Sequence, residues 1–326
     1  MNTPTHFSEQ FTWQPTIENA EALLRAQSFV VCGMGGSHLG AQLLMRHDPR
    51  LLLSIHSDYD LPLLSSTARR ETLFIASSYS GTTEETLSAA RAALAANLPL
   101  AVITGGGELL SFAREHAVPL VAIPQTGIEP RMAVGYFMLA TAALMNDAGL
   151  VSAIQTVGSE CALESDDEES VRLARVLEGK TPYIYASGAN GSIAQYWKIS
   201  FNETTKIPAA YNIFPELCHN ELAGFDTMPP AHELIASIHP IILEDVEDHP
   251  RVRMRMKILS DILSERGVQV ERVSVRGASA LHKIFNSVLL AESTAAALGA
   301  YYGVTSPQTP IIAEFKRRMS DLTDEI

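Results

Sequence analysis

Carboxyl, imidazole and cationic side chains able to move a proton or steady a developing negative charge lie in short motifs scattered over 326 residues. Residues 202–206 read Asn-Glu-Thr-Thr-Lys, and 214–221 read Phe-Pro-Glu-Leu-Cys-His-Asn-Glu. Glu203, Glu216, His219 and Glu221 are candidate general acids and bases, because a protein can move the pKa of such groups toward neutrality. Arg131 follows Glu129-Pro130, and Lys316 closes the run Ile312-Ala313-Glu314-Phe315-Lys316. Read alone, either cation is an ordinary solvated helix residue. His219 beside Cys218 invites a zinc or thiol reading. No other Cys or His stands at ligand spacing and nothing orients the thiol, so neither is expected.

Two further segments could hold an anion. Gly33-Met34-Gly35-Gly36-Ser37 lies between an expected strand and an expected helix, where free backbone N–H groups and the helix dipole favour negative charge. A dinucleotide fingerprint would need a third glycine where His38 stands, although Asp58 ends the next strand as such a site would require. A nicotinamide enzyme is therefore a weaker reading. The second segment, Ser77-Ser78-Tyr79-Ser80-Gly81-Thr82-Thr83-Glu84-Glu85-Thr86, offers hydroxyls at 78, 80, 82 and 83 ahead of a helix. Such neutral donors suit a phosphate monoester. Without a GxxxxGK[ST] motif, a nucleoside triphosphate with magnesium does not fit.

These motifs need elements to carry them, and alternating apolar strands and helical stretches supply an α/β scaffold. The first half reads as strands 28–32, 51–56, 72–77, 99–104 and 118–123, with helices 37–46, 82–96, 107–116 and 130–148. Residues 164–169 open an acidic helix with Ser165 as its N-cap. The second half reads as strands 182–186, 208–212, 234–242 and 268–275, with helices 190–201, 249–266, 278–300 and 310–320. Gly188-Ala189-Asn190-Gly191-Ser192 repeats the first glycine motif, with Gly36 matching Gly191 and Ser37 matching Ser192. Two copies of one doubly wound, parallel-sheet unit are expected, over 1–150 and 151–326.

Composition bounds the function. The net charge of −13 argues against a nucleic-acid partner or an anionic membrane surface, so any anionic ligand must be held by local donors. The longest nearly apolar stretch, 132–145, is too short to span a bilayer. The first residues show no secretory signal, and three widely spaced cysteines give no disulfide framework. A cytoplasmic protein is expected.

Taken together, GMGGS, SYSGTTEET, PRMAVGY, NETTK, FPELCHNEL and IAEFK make the chain resemble the sugar isomerase (SIS) domain proteins, most closely the bifunctional phosphoglucose/phosphomannose isomerases. The resemblance runs from the GMGGS loop to the final helix. It implies an aldose–ketose isomerase, an intramolecular oxidoreductase, interconverting fructose 6-phosphate with glucose 6-phosphate and mannose 6-phosphate through a cis-enediol, without metal or cofactor. It implies that Gly36 and Ser37 bind the sugar and that Ser78, Ser80 and Thr83 hold its phosphate. Glu203 would be the base, Arg131 would stabilise the enediolate, and His219, helped by Lys316, would open the ring. Thr309 resembles the threonine of members that accept mannose 6-phosphate. In this family the histidine comes from the neighbouring subunit, which implies a homodimer. The chain departs from the usual Glu-Asn-Ala-Lys at Thr204-Thr205. Two alternatives stay open: a non-catalytic phosphosugar sensor, and an isomerase of another phosphosugar.

Overall fold

Continuous apolar runs such as Phe29-Val30-Val31-Cys32 and Leu73-Phe74-Ile75-Ala76 are buried on both faces, which a parallel sheet covered by helices on either side accommodates. The computed structural model describes residues 7–161, 167–226, 232–304 and 308–323. The first series is β1 (Ser28–Gly33), α1 (Gly36–His47), β2 (Leu52–His56), α2 (Ser66–Glu71), β3 (Thr72–Ser78), α3 (Glu84–Ala95), β4 (Leu100–Thr104), α4 (Gly107–Glu115) and β5 (Leu120–Ala122). Three helices follow: α5 (Val134–Leu144), α6 (Ala148–Cys161) and α7 (Asp167–Leu177). The second series is β6 (Thr181–Ser187), α8 (Gly191–Ser200), β7 (Ala210–Phe214), α9 (His232–Ala236), β8 (Ile238–Glu244), α10 (Pro250–Glu265) and β9 (Glu271–Ser274). Helices α11 (Ala280–Tyr301) and α12 (Pro310–Thr323) close the chain.

Every pair of these strands, among the described residues, is parallel. The five-stranded sheet has the order β2-β1-β3-β4-β5 and the four-stranded sheet β7-β6-β8-β9. The second order repeats the first four places of the first, which is the relation the paired glycine motifs predict. Both sheets share one apolar core. Phe137 and Leu139 of α5, Trp197 of α8 and Phe285 and Val288 of α11 belong to a single buried cluster. The amino-terminal turn joins it, with Phe11 set edge-on to Phe285 at 4.8 Å. No helix among the described residues is long and apolar enough to cross a membrane.

Several expected boundaries move. The single helix expected over 130–148 is a short 3-10 turn at Pro130–Met132, then α5, then α6. Asn146 takes a left-handed conformation (φ 58°) that ends α5, and Asp147 Oδ1 accepts from the Leu150 amide to start α6. The strand expected over 234–242 begins instead with α9 and pairs only from Ile238. Leu234-Ile235-Ala236 is apolar enough for either state, but Leu234 is largely exposed, and a short apolar run without periodicity does not choose between them. Strand β2 lies at the edge of its sheet and leaves Leu52 exposed, unlike the buried central strands. The Ser165 cap lies outside the described residues.

Candidate active site

The carboxyl ends of β1 and β3 adjoin, because Gly33 is the register partner of Ser77. The two expected anion loops therefore meet and are tied together by hydrogen bonds. The Ser37 hydroxyl accepts from the Tyr79 amide at 3.0 Å, and the Ser77 hydroxyl donates to the Ser37 carbonyl at 2.7 Å. Within the second loop the buried Ser78 hydroxyl pairs with Thr83 Oγ1 at 2.8 Å and accepts from the Gly81 amide at 3.1 Å. Ser80 and Thr82 pair at 3.1 Å on the exposed side. Gly81 has φ 68°, and a β-carbon there would overlap the Gly106 carbonyl, so glycine is required. Thr83 precedes α3 without capping it through its side chain, leaving the first-turn amides open toward the loop. Gly36, Ser37, Ser78, Ser80 and Thr83 thus share one sheet edge.

Arg131 reaches the same edge from the segment after β5. A β-carbon on Gly36 would stand 2.5 Å from the Pro130 carbonyl carbon and 2.6 Å from the Arg131 amide. The missing side chain at Gly36 is what lets the 130–131 backbone lie against the α1 start. Arg131 is 1% exposed, far from the solvated state that a lone arginine suggests. Its Nη1 donates to Glu203 Oε2 at 3.2 Å and lies 3.7 Å from Glu129 Oε2. Its Nε donates to Thr204 Oγ1 at 3.1 Å and stands 3.8 Å from Glu292 Oε1.

Glu203 comes from the second half, on a π-helical turn at Phe201–Thr205 that ends α8. The helix expected over 190–201 thus runs on into a wider turn. That turn is fixed by Thr205 Oγ1 donating to the Ala295 carbonyl at 2.7 Å and by left-handed Lys206 (φ 65°) at its end. One-turn π segments re-aim side chains at functional sites. Burial raises the Glu203 pKa above the usual carboxylate value of 4.5, with Arg131 pulling it down and Glu292 and Glu129 pushing it further up. Burial and Arg131 lower that of Lys206. A carboxylate with a raised pKa, held against a guanidinium beside a hydroxyl-rich loop, can take a proton from carbon and see the resulting charge stabilised.

The other expected site residues stand apart from this cluster. His219 is exposed, on a 3-10 turn at Glu216–His219 beyond the carboxyl end of β7. Glu203 precedes the amino end of β7. The strand between them spans Ala210–Phe214, about 13 Å at the usual rise per residue. Their neighbours pack on opposite faces of the sheet: Leu217 packs with Tyr185, Phe214 and Met256, whereas Phe201 packs in the core shared with the first half. Lys316 is exposed on α12, and Thr309, half-buried, directly precedes that helix. Within one chain, then, Glu203 and Arg131 meet beside the loops, while His219 is kept away by the second sheet.

Glu292 and Glu129 were not anticipated from the sequence. The signal was present in α11, whose only charged residues over 22 positions are Lys283 and Glu292. Both are buried, and each anchors one network. Lys283 Nζ donates to Asp245 Oδ1 at 2.7 Å, and Arg46 Nη2 reaches Asp245 Oδ2 at 3.0 Å. Arg46 Nε also donates to Asn190 Oδ1 at 2.6 Å. This network fills the carboxyl edge of the second sheet, the counterpart of the edge that carries the hydroxyl loops in the first. Among the described residues, no three His, Cys, Asp or Glu side chains are grouped to hold a metal ion.

Comparison with known proteins gives the family and the fold. The bacterial phospho-glucose isomerase C-terminal SIS domain family matches residues 166–319. A bifunctional phosphoglucose/phosphomannose isomerase of Caldicellulosiruptor bescii is 32% identical over 314 residues, covering 90% of each chain. One of Aquifex aeolicus is 28% identical over 319 residues, covering 96% of each. The fold is shared with a hypothetical protein of Thermus thermophilus at TM-score 0.72 and 18% identity, covering 97% of this chain and 87% of that one. The parallel sheets, the hydroxyl loops and this likeness along almost the whole chain lead to one assignment: the chain belongs to the bifunctional phosphoglucose/phosphomannose isomerase family.

Proposed function

We propose that the protein interconverts fructose 6-phosphate with glucose 6-phosphate and mannose 6-phosphate by proton transfer between C2 and C1. The observation that carries this reading is the Glu203–Arg131 pair beside the Ser78–Thr83 loop: a carboxylate of raised pKa and a buried cation within reach of a phosphate cradle. The phosphate sits among Ser78, Ser80, Thr83 and the first amides of α3, and Gly36 and Ser37 face the sugar. Glu203 removes the proton from C2 of the open-chain aldose and returns it to C1, the C2 hydroxyl proton passes to the C1 oxygen, and Arg131 steadies the negative oxygen of the enediolate between the two transfers. The same base runs the reverse direction, and return of the proton to either face of C2 gives the two aldose epimers. No step requires an external redox partner, because the carbon oxidised and the carbon reduced are neighbours in one sugar.

Ring opening is assigned to His219, with Lys316 assisting and Thr309 favouring acceptance of the mannose epimer. Since the second sheet separates His219 from Glu203 within one chain, a second copy supplies His219, and the active form is a homodimer. The exposed apolar side chains of α12, Ile311, Ile312 and Phe315, support an association surface at this end of the chain. A cytoplasmic location fits an enzyme of free sugar phosphates.

The test follows EDTA-treated protein with fructose 6-phosphate by NMR. Both aldose 6-phosphates are expected. Glucose 6-phosphate alone removes the role given to Thr309. No product, with a rise in melting temperature on adding fructose 6-phosphate, replaces the isomerase by a phosphosugar sensor.

A further inference from the structure

The site contains a carboxylate that proton transfer itself does not use. Glu292 is 5% exposed, lies beneath the Arg131–Glu203 pair, and accepts two hydroxyl hydrogen bonds: from Ser200 Oγ at 2.7 Å and from Thr204 Oγ1 at 3.0 Å. Thr204 in turn accepts from Arg131 Nε at 3.1 Å. A hydroxyl has one proton to give. With that proton committed to Glu292, the oxygen lone pairs of Thr204 face the guanidinium, and the chain Glu292–Thr204–Arg131 has a single sense. The small, branched threonine lets its oxygen sit between both partners at hydrogen-bond distance. This gives a use to a departure in the motif, where the family usually reads Asn after the glutamate.

We propose that Glu292 and Thr204 form a positioning couple: the buried carboxylate orients the Thr204 hydroxyl, which fixes the Arg131 plane so that its Nη1 faces Glu203 and the reacting oxygens. The inference rests on the roles given above to Glu203 and Arg131. Both members of the couple act through Arg131. A glutamine at 292 gives Thr204 a neutral acceptor in place of a charged one and removes the carboxylate 3.8 Å from Arg131 Nε, so both the Thr204 hydroxyl and the Arg131 plane are held less firmly. The groups facing Glu203 are Arg131 and Glu129 from the 129–132 segment, Glu292 from α11, Tyr196 from α8, and Lys206 at the end of the Glu203 turn. Of these, Glu292 and Glu129 raise its pKa, so removing the Glu292 charge lowers it.

The experiment measures kcat and KM for fructose 6-phosphate, across pH, in the full chain carrying E292Q, T204V, both changes, or T204S. E292Q and T204V are each expected to lower kcat about tenfold with KM within about threefold, a scale set by misplaced catalytic groups. The double variant should be no slower than the slower single one, because both break the same chain. E292Q should move the acid limb of the kcat profile to lower pH, T204V should leave it in place, and T204S should recover most of what T204V loses. Singles with unchanged kcat, losses that multiply to about a hundredfold in the double variant, or an effect confined to KM would overturn the couple. If E292Q fails to fold, as judged by melting, the half-buried T204V and T204S pair decides the question through the same kcat comparison. E203Q measured alongside keeps the two levels apart: undiminished turnover there sinks the base assignment itself, whatever the couple does.

Discussion

Arg131 and Glu203 face one another at 3.2 Å across the boundary between the two halves of the chain, the guanidinium fully enclosed and the carboxylate about one-quarter exposed. That asymmetry leaves the carboxylate accessible to a substrate while its counter-charge is held in place from behind.

Loss of the Glu203 charge should abolish turnover without abolishing binding. E203Q is expected to lower kcat by a factor of about 10² to 10⁴, the range general-base groups contribute, while fructose 6-phosphate still raises the melting temperature. Turnover within about threefold of the unmutated protein would remove Glu203 from the reaction.

The raised pKa of Glu203 also fixes two signs. The base must be ionised, so kcat/KM should fall as pH drops through a value above 4.5, the ordinary carboxylate value. Between the unfolded and folded pKa values the folded state binds more protons, so this group lowers stability as pH rises through that window and costs stability at neutral pH. E203Q should therefore melt no lower than the unmutated protein at pH 7 and lose that advantage below the unfolded pKa. A melting temperature clearly depressed at pH 7 contradicts this.

Sharing of the site between subunits can be tested by mixing. E203Q and H219A should each be inactive alone. Unfolded together in equal amounts and refolded, half of the dimers are mixed and each has one complete site, so about one-quarter of full activity should return. Inactivity of the mixture, with dimers confirmed by light scattering, would show that His219 serves its own chain.

Gly36→Ala should act on Arg131 and not on the phosphate loop. The added methyl meets the Pro130–Arg131 backbone at 2.5–2.6 Å, and backbone cannot turn aside as a long side chain can. A loss of about tenfold or more in kcat is expected, with inorganic phosphate still protecting against heat to the same degree. Equal losses of phosphate protection and kcat would place the damage elsewhere.

Lys283 tests the second sheet edge. Despite burial, Asp245 and Glu247 hold its ammonium above the ordinary lysine range, and Lys283 helps keep the Asp245 carboxyl low against the opposing effect of burial. Lys283→Met leaves Asp245 with the Arg46 guanidinium and the Glu247 amide and should cost about 3–5 kcal/mol in denaturant unfolding, as breaking a buried pair does. The stabilisation is present below the unfolded lysine pKa and lost as pH rises through the raised folded value. A cost under about 1 kcal/mol would mean that the network carries little.

Local chemistry wrote the elements into the sequence. The buried strands were legible because β-branched apolar runs of about five or six residues have few other uses. The two glycine- and hydroxyl-rich loops were legible as strand-to-helix turns because those residue types favour turns and hydrogen-bond their own backbone there. Boundaries were lost where the deciding group was a single backbone angle, as at Asn146, or a run apolar enough for either state, as at 234–236. The residues Glu203, Arg131, His219 and Lys316 could be singled out by type and by family resemblance, but not their grouping. Burial of Arg131 depends on Gly36 admitting the 130–131 backbone, and the raised pKa of Glu203 depends in part on a helix far along the chain bringing Glu292 beneath it. Such effects need side chains distant in sequence to share a few ångströms of dry space. Sequence spacing carries no information about that, and only the packing of the two sheets through α5, α8 and α11 decides it.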